Sequence, residues 1–168
     1  AGASHEFIDH LEGLNTAAQH GGRGRRLEYS IGWALDERTR NAIAAITKGE
    51  WTPALTATGD VDEDADVAEL TAHLRQGRAG DQLTGWPPGM RVIARRTRRA
   101  VGEQPELGQD PEWTYGVFVT NTPTGQLQHL DARHRTQAHV EDRIKELKGC
   151  GATRLPSTSY GRNSAWLH

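Results

Sequence analysis

Cysteine is almost absent from this chain: Cys150 is the only one in 168 residues. No internal disulfide and no cysteine zinc cage can form, which fits a reducing cytosol. Long apolar runs are missing too. Nothing approaches the roughly 20 residues of a membrane-spanning helix, so a membrane is excluded as a partner. Ala1-Gly2-Ala3-Ser4 leads into an amphipathic stretch, not into the apolar core of a secretory leader. Hydrophobic residues make up 35% of the chain, which permits a modest core.

Several catalytic signatures are also missing. No HExxH occurs among the eight histidines, and the pairs His5/His10 and His134/His139 are five apart. On a helix such pairs diverge by about 140°, too far to share a zinc ion. Gly22-Arg23-Gly24-Arg25-Arg26 leads into a strand instead of opening a helix, so the dinucleotide and P-loop contexts fail. Ser157, Ser159 and Cys150 have no nucleophile signature around them. Asp60-Val61-Asp62-Glu63-Asp64 opens like a calcium loop, but Ala65 stands where Gly is needed and Thr71 where Glu is needed. That run is expected to be a solvated acidic turn.

What the chain does carry is charge, unevenly spread. Residues 1–85 hold 8 Lys/Arg against 14 Asp/Glu, and residues 86–168 hold 12 against 8. The cations are mostly Arg, whose fork suits phosphate. A basic half on an acidic whole points to a polyanion, although such an imbalance also arises by chance. Arg91, Arg95, Arg96, Arg98 and Arg99 form the densest cluster. Along a strand Arg91, Arg95 and Arg99 share one face while Arg96 and Arg98 take the other. Phosphate contact and edge-strand solubility are equally good accounts of them.

Periodicity predicts the elements. A helix is expected over 4–15, capped by Ser4 and buried through Phe7, Ile8, Leu11 and Leu14. Residues 27–35 alternate as a strand, with Leu27, Tyr29, Ile31, Trp33 and Leu35 on one face. Asp36 caps a helix over 37–48. A short helix is expected near 67–76, with Asp66 and Glu69 at capping-box spacing. Gly85-Trp86-Pro87-Pro88-Gly89 makes a rigid turn, strands follow at 90–98 and 113–120, and Asn121-Thr122-Pro123-Thr124-Gly125 turns again. A longer helix covers 132–148 and a last short one 161–167. A helix ahead of a strand is half of a crossover unit, so a preceding strand is expected upstream, in a longer protein.

The 134–148 stretch is the most informative. Gln137, Val140, Ile144 and Leu147 recur at helical spacing as a core-facing stripe. Glu141 and Lys148 are seven apart and point within about 20° of each other. His134 precedes Glu141 by seven residues and joins that face, and Lys145 sits one turn on from Glu141. From spacing alone, a solvated mixed-charge face is the ordinary outcome.

Further landmarks are Tyr29-Ser30-Ile31-Gly32, Trp51-Thr52-Pro53-Ala54, Gly125-Gln126-Leu127, the segment 133–148, and Asn163 with Trp166. With them the chain resembles, over nearly its whole length, the DDE transposases of bacterial insertion sequences, in particular transposase DDE domain group 1. Many of those enzymes carry Tyr-x2-Arg-x3-Glu-x6-Lys, and here the frame reads His134-x2-Gln137-x3-Glu141-x6-Lys148. Glu and Lys match; His and Gln replace Tyr and Arg.

The resemblance implies an α/β fold: a partial ribonuclease H-like core, helices plus a strand, with an inserted α+β lobe. Residues 1–48 would belong to the core, 49–124 to the lobe, and 125–168 to the C-terminal helices that carry the last acid. It implies two-metal cutting and rejoining of DNA phosphodiesters, with Glu141 as third acid and metal ligand and with Mg²⁺ or Mn²⁺ in the intact enzyme. Lys148, Lys145, His134, Gln137, Arg95, Arg96 and Arg99 would contact DNA. The two Asp residues of the triad would lie upstream of Ala1, so these residues alone are expected to bind no metal tightly and to be inactive. The implied partners are element ends, target DNA and a second copy in a homodimer, and the implied place is the bacterial cytoplasm at the nucleoid. The alternatives are a non-catalytic DNA-binding remnant or regulator derived from a transposase, and, more remotely, a structural domain.

Overall fold

The computed structural model describes residues 3–20, 26–76, 80–100, 102–105, 110–136 and 146. The chain divides into two compact units, Ala1–His134 and Arg135–His168. The first is mixed α/β. Its elements run α1 (His5–His20), β1 (Ser30–Gly32), α2 (Glu37–Ala44), β2 (Thr52–Leu55), β3 (Val61–Glu69), α3 (Thr71–Gln76), β4 (Arg91–Arg98) and β5 (Trp113–Thr120). A 3₁₀ turn at Lys48–Glu50 precedes β2, and residues 127–136 are helical (α4).

The five strands form one sheet in the order β1-β5-β4-β3-β2. Every neighbouring pair is antiparallel. β2 to β5 follow one another as a meander, and β1 adds to the open edge of β5. One sheet therefore joins residues from the 1–48 and 49–124 segments.

Alternation along the strands makes two cores. Val92, Ala94, Val117 and Val119 point to one face, where they meet Ile8 of α1, Ile43 of α2 and Leu74 of α3. Ile93 and Phe118 point to the other, where they meet Ala54, Val67 and Leu130 of α4. Among the described residues the unit is three layers deep, with α4 on the second face.

Local chemistry explains where the elements begin and end. The Phe7 amide donates to Ser4 Oγ at 3.3 Å, and the Thr39 amide donates to Asp36 Oδ1 at 2.8 Å, so both expected caps form. That bond from Thr39 leads the interactions that hold the Asp36 carboxyl below its ordinary pKa. Gly85 adopts φ +85°, a conformation that favours glycine, and the turn it opens carries Trp86 onto the core.

Five expectations need correction. The buried stripe of α1 is rotated: Ile8 is fully buried, but Phe7 and Leu14 are each 48% exposed. Asn15, at 3% exposure, takes the inward place, because its side chain bonds Leu27 through both N–H and C=O. Those bonds also shorten the predicted strand. Tyr29 N–H donates to Asn121 Oδ1, so the backbone of 27–29 is held by asparagines and only Ser30–Gly32 enter the ladder.

The acidic run at 60–66 is not a turn. It lies almost wholly in β3, where Asp66 faces Arg96 in register and Asp62 and Asp64 pair with Arg95 and Arg98 of β4. Consequently Val67–Glu69 are strand, the helix starts at Thr71, and Glu69 binds Arg91 instead of closing a capping box. The last helix begins at 127, earlier than the periodicity of 132–148 indicates, because Leu127 and Leu130 reach the second core.

Candidate nucleic-acid interface

α4 meets the sheet through positions 127, 130, 131 and 134, the spacing of one helix face. Leu127 and Leu130 pack against Phe118 and Ile93. Asp131, 1% exposed, accepts from Arg95 Nη1 at 2.7 Å. His134 closes the row. Its Nδ1 lies 2.8 Å from Ser30 Oγ, and its ring stacks on Phe118 with centroids 4.3 Å apart and planes 8° apart. The neighbouring Arg133 points along the strand ends and donates to Glu28 Oε2 at 2.7 Å and to Thr122 Oγ1 at 2.6 Å.

The arginine cluster of β4 is matched by carboxylates. Arg91 donates to Glu69. Arg95 is bound by both Asp62, at 3.0 Å, and Asp131. Arg96 pairs with Asp66 at 2.8 Å, and its guanidinium lies 4.4 Å from the ring centroids of both Trp51 and Trp113. Arg98 reaches Asp64 and Glu112 at the open end of the sheet. Sequence reading missed these partners. The available signal was the count of acids in 60–66 against the arginines of 91–99; the register irregularity beside β2 sends Asp62 and Asp66 to arginines on opposite faces.

Arg99, just past β4, pairs with Glu103 at 2.9 Å and lines a recess of about 460 Å³ between α2 and the start of β5. Asp110 and Tyr115 line it too. Burial pushes the Asp110 carboxyl up, but hydrogen bonds from Glu112 N–H, Tyr115 O–H and Trp113 N–H outweigh it and leave the pKa lowered. Tyr115 is raised to about 12 by burial and by Asp110. Both oxygens of Asp110 accept from these donors, so the group caps the start of the strand.

Of the residues singled out from the sequence, His134, Arg95, Arg96 and Arg99 lie among those described. His134 and Arg95 meet on the second face of the sheet, through α4. Arg96 lies on the opposite face with the tryptophans. Gln137, Glu141, Lys145 and Lys148 lie outside the described residues, as do the stripe Val140, Ile144 and Leu147 and the short helix at 161–167. No group of three His, Cys, Asp or Glu side chains arranged for a metal occurs among the described residues. No helix there is long and apolar enough to cross a membrane.

No family model, no curated protein and no solved structure matches this chain.

Proposed function

We propose that this chain is the C-terminal part of the catalytic domain of a DDE-type insertion-sequence transposase. Glu141 is the third acid of its triad, and the two Asp residues come from outside these 168 residues. The observation that carries the reading is the frame His134-x2-Gln137-x3-Glu141-x6-Lys148. The helical state of 127–136 supports it, since the frame opens on a helix anchored to the sheet by four side chains. In the proposed architecture the strand and helices of 1–48 belong to a ribonuclease H-like core, and 49–124 form the inserted lobe.

In the intact enzyme Mg²⁺ or Mn²⁺ would supply the charge that activates water or a DNA 3′-hydroxyl. The residues at hand do not fit such an ion by themselves. One carboxylate cannot fill an octahedral oxygen shell, and no other acid of this chain is assigned to the site.

The chain's own contribution is to hold DNA. Lys145 and Lys148 neutralise backbone phosphate, while His134 and Gln137 take the places that Tyr and Arg hold in the motif. Arg95, Arg96 and Arg99 are weaker candidates, because a phosphate would have to displace their carboxylate partners. Element ends, target DNA and a second copy are the proposed partners.

The test is a mobility shift of the chain on duplex DNA across a salt series, with a cleavage assay beside it. Affinity should be present at low salt and fall steeply as salt rises, and Mg²⁺ should bring no cutting. Absence of DNA affinity at low salt contradicts the reading, and so does robust cutting by these residues alone. A non-catalytic DNA-binding remnant gives the same two results; it differs in showing no activity when the whole gene product is used.

A further inference from the structure

The recess of about 460 Å³ between α2 and the start of β5 has walls of different chemistry. Much of its surface is apolar, from Leu35, Ile43, Ala44 and Trp113. Trp113 and Tyr115 stand on the face of the sheet that α2 covers, since they share the alternation of Val117 and Val119. Ala44, an exposed residue of α2, supplies only a methyl group, and so small a side chain leaves the space open. The volume falls within the range of about 300–1,000 Å³ that takes small organic molecules.

The polar groups around that surface are unequal. On the sheet side the hydrogens are already committed. Tyr115 O–H donates to Asp110 Oδ2 at 2.8 Å, and Thr114 O–H donates to the Thr97 carbonyl at 3.1 Å. Arg99 donates to the Asp110 carbonyl and to Glu103. The Asp110 carboxyl is held below its ordinary pKa, so on this side two carboxylates face one arginine at neutral pH. Arg40 is different. It lines the recess from α2 and is exposed, and among the described residues it has no hydrogen bond or ion pair. Every arginine of β4, by contrast, meets a carboxylate. A guanidinium with all its donors unspent therefore stands beside an apolar surface.

We propose that this recess binds a small planar aromatic monocarboxylate, whose ring covers the apolar wall and whose carboxylate takes the fork of Arg40. A guanidinium holds a carboxylate through two parallel N–H donors, and a flat ring suits a space lined by an indole and a methyl group. The carboxylates on the sheet side repel a second negative charge, so a dianion such as phosphate fits poorly. The proposal does not rest on the transposase reading and stands or falls apart from it.

The test is a calorimetric titration of the 168-residue chain with 2-naphthoate. Beside it run 2-naphthalenemethanol, which lacks the charge, and inorganic phosphate, which lacks the ring. The naphthoate should bind at a single site, and each of the other two about tenfold more weakly or worse, the scale of one hydrogen bond to a charged group. Arg40→Gln should weaken the naphthoate about tenfold and leave the alcohol unchanged. Ala44→Leu should fill the recess and abolish binding of both. Both positions are exposed, so both variants should keep the fold, checked by circular dichroism. Absence of wild-type binding at millimolar naphthoate overturns the proposal, and so does equal binding of the alcohol or of phosphate. Full naphthoate affinity in a folded Arg40→Gln or Ala44→Leu chain overturns it as well. Should either variant fail to fold, the ranking of the three compounds on the wild type still decides.

Discussion

The arginines of β4 and the basic residues at 133–134 of α4 lie on the same sheet and are held in different ways. Arg91, Arg95, Arg96 and Arg98 each meet a carboxylate of the sheet or of a neighbouring segment, and Arg96 is also sandwiched between two indoles. His134 meets a hydroxyl and an aromatic ring. The first arrangement neutralises charge where it is buried and so serves the fold. The second orients a polar ring against the sheet through a neutral hydroxyl and an aromatic face. A cluster of basic residues in sequence is therefore a poor guide to a nucleic-acid surface until the acids that face it are known.

The largest effect that would sharpen this contrast is at Arg95. Arg95→Ala removes the cation shared by Asp62 and Asp131, the latter 1% exposed, and should destabilise the protein by about 3–5 kcal/mol, read as a lower denaturant midpoint. A loss under about 1 kcal/mol, the range of exposed pairs, would break the claim that this arginine is structural. Next comes Arg96→Met, which keeps the stem but removes the contact with the two rings. At roughly 0.5–1 kcal/mol for each cation–π contact, it should lower stability by about 1–2 kcal/mol and shift tryptophan fluorescence. Arg98 is half exposed, so Arg98→Ala should change stability by less than about 1 kcal/mol, and raised salt should erase the difference.

The smallest effect lies outside the sheet, at Glu50. Hydrogen bonds from the Thr47 side chain and backbone and then from His73 depress its carboxyl from 4.5 to about 2. Because the folded pKa is lowered, the stabilisation is complete above 4.5 and disappears as pH falls through 2. Glu50→Gln should melt slightly below the wild type at neutral pH, and the two melting curves should converge on acidification. A constant gap at every pH would show that the carboxylate charge is irrelevant there.

What could be read from the sequence was mostly local. The strand at 113–120, the strand ending at Arg98 and the caps at Ser4 and Asp36 all follow from neighbouring residues, and all form. What could not be read came from partners distant along the chain. β3 looks like a turn until its acids are paired with Arg95, Arg96 and Arg98, about thirty residues on. Asn15 looks like the end of a polar helix face until the backbone of Leu27 bonds both ends of its amide. Ser30 lies in the landmark Tyr29-Ser30-Ile31-Gly32, but its relation to His134, 104 residues away, exists only in the folded sheet. The frame around Glu141 is the reverse case: its spacing is plain in the sequence, and all of it but His134 falls beyond the described residues.

The measurement that bears most directly on the central claim is DNA excision by the whole gene product, assayed with Mg²⁺ on a plasmid that carries the gene and its flanking DNA. The account predicts cutting at the flanks by the wild type and its loss in Glu141→Gln, with protein abundance and DNA affinity retained. Cutting that persists in Glu141→Gln, or a wild-type product that binds these flanks and never cuts them, contradicts it.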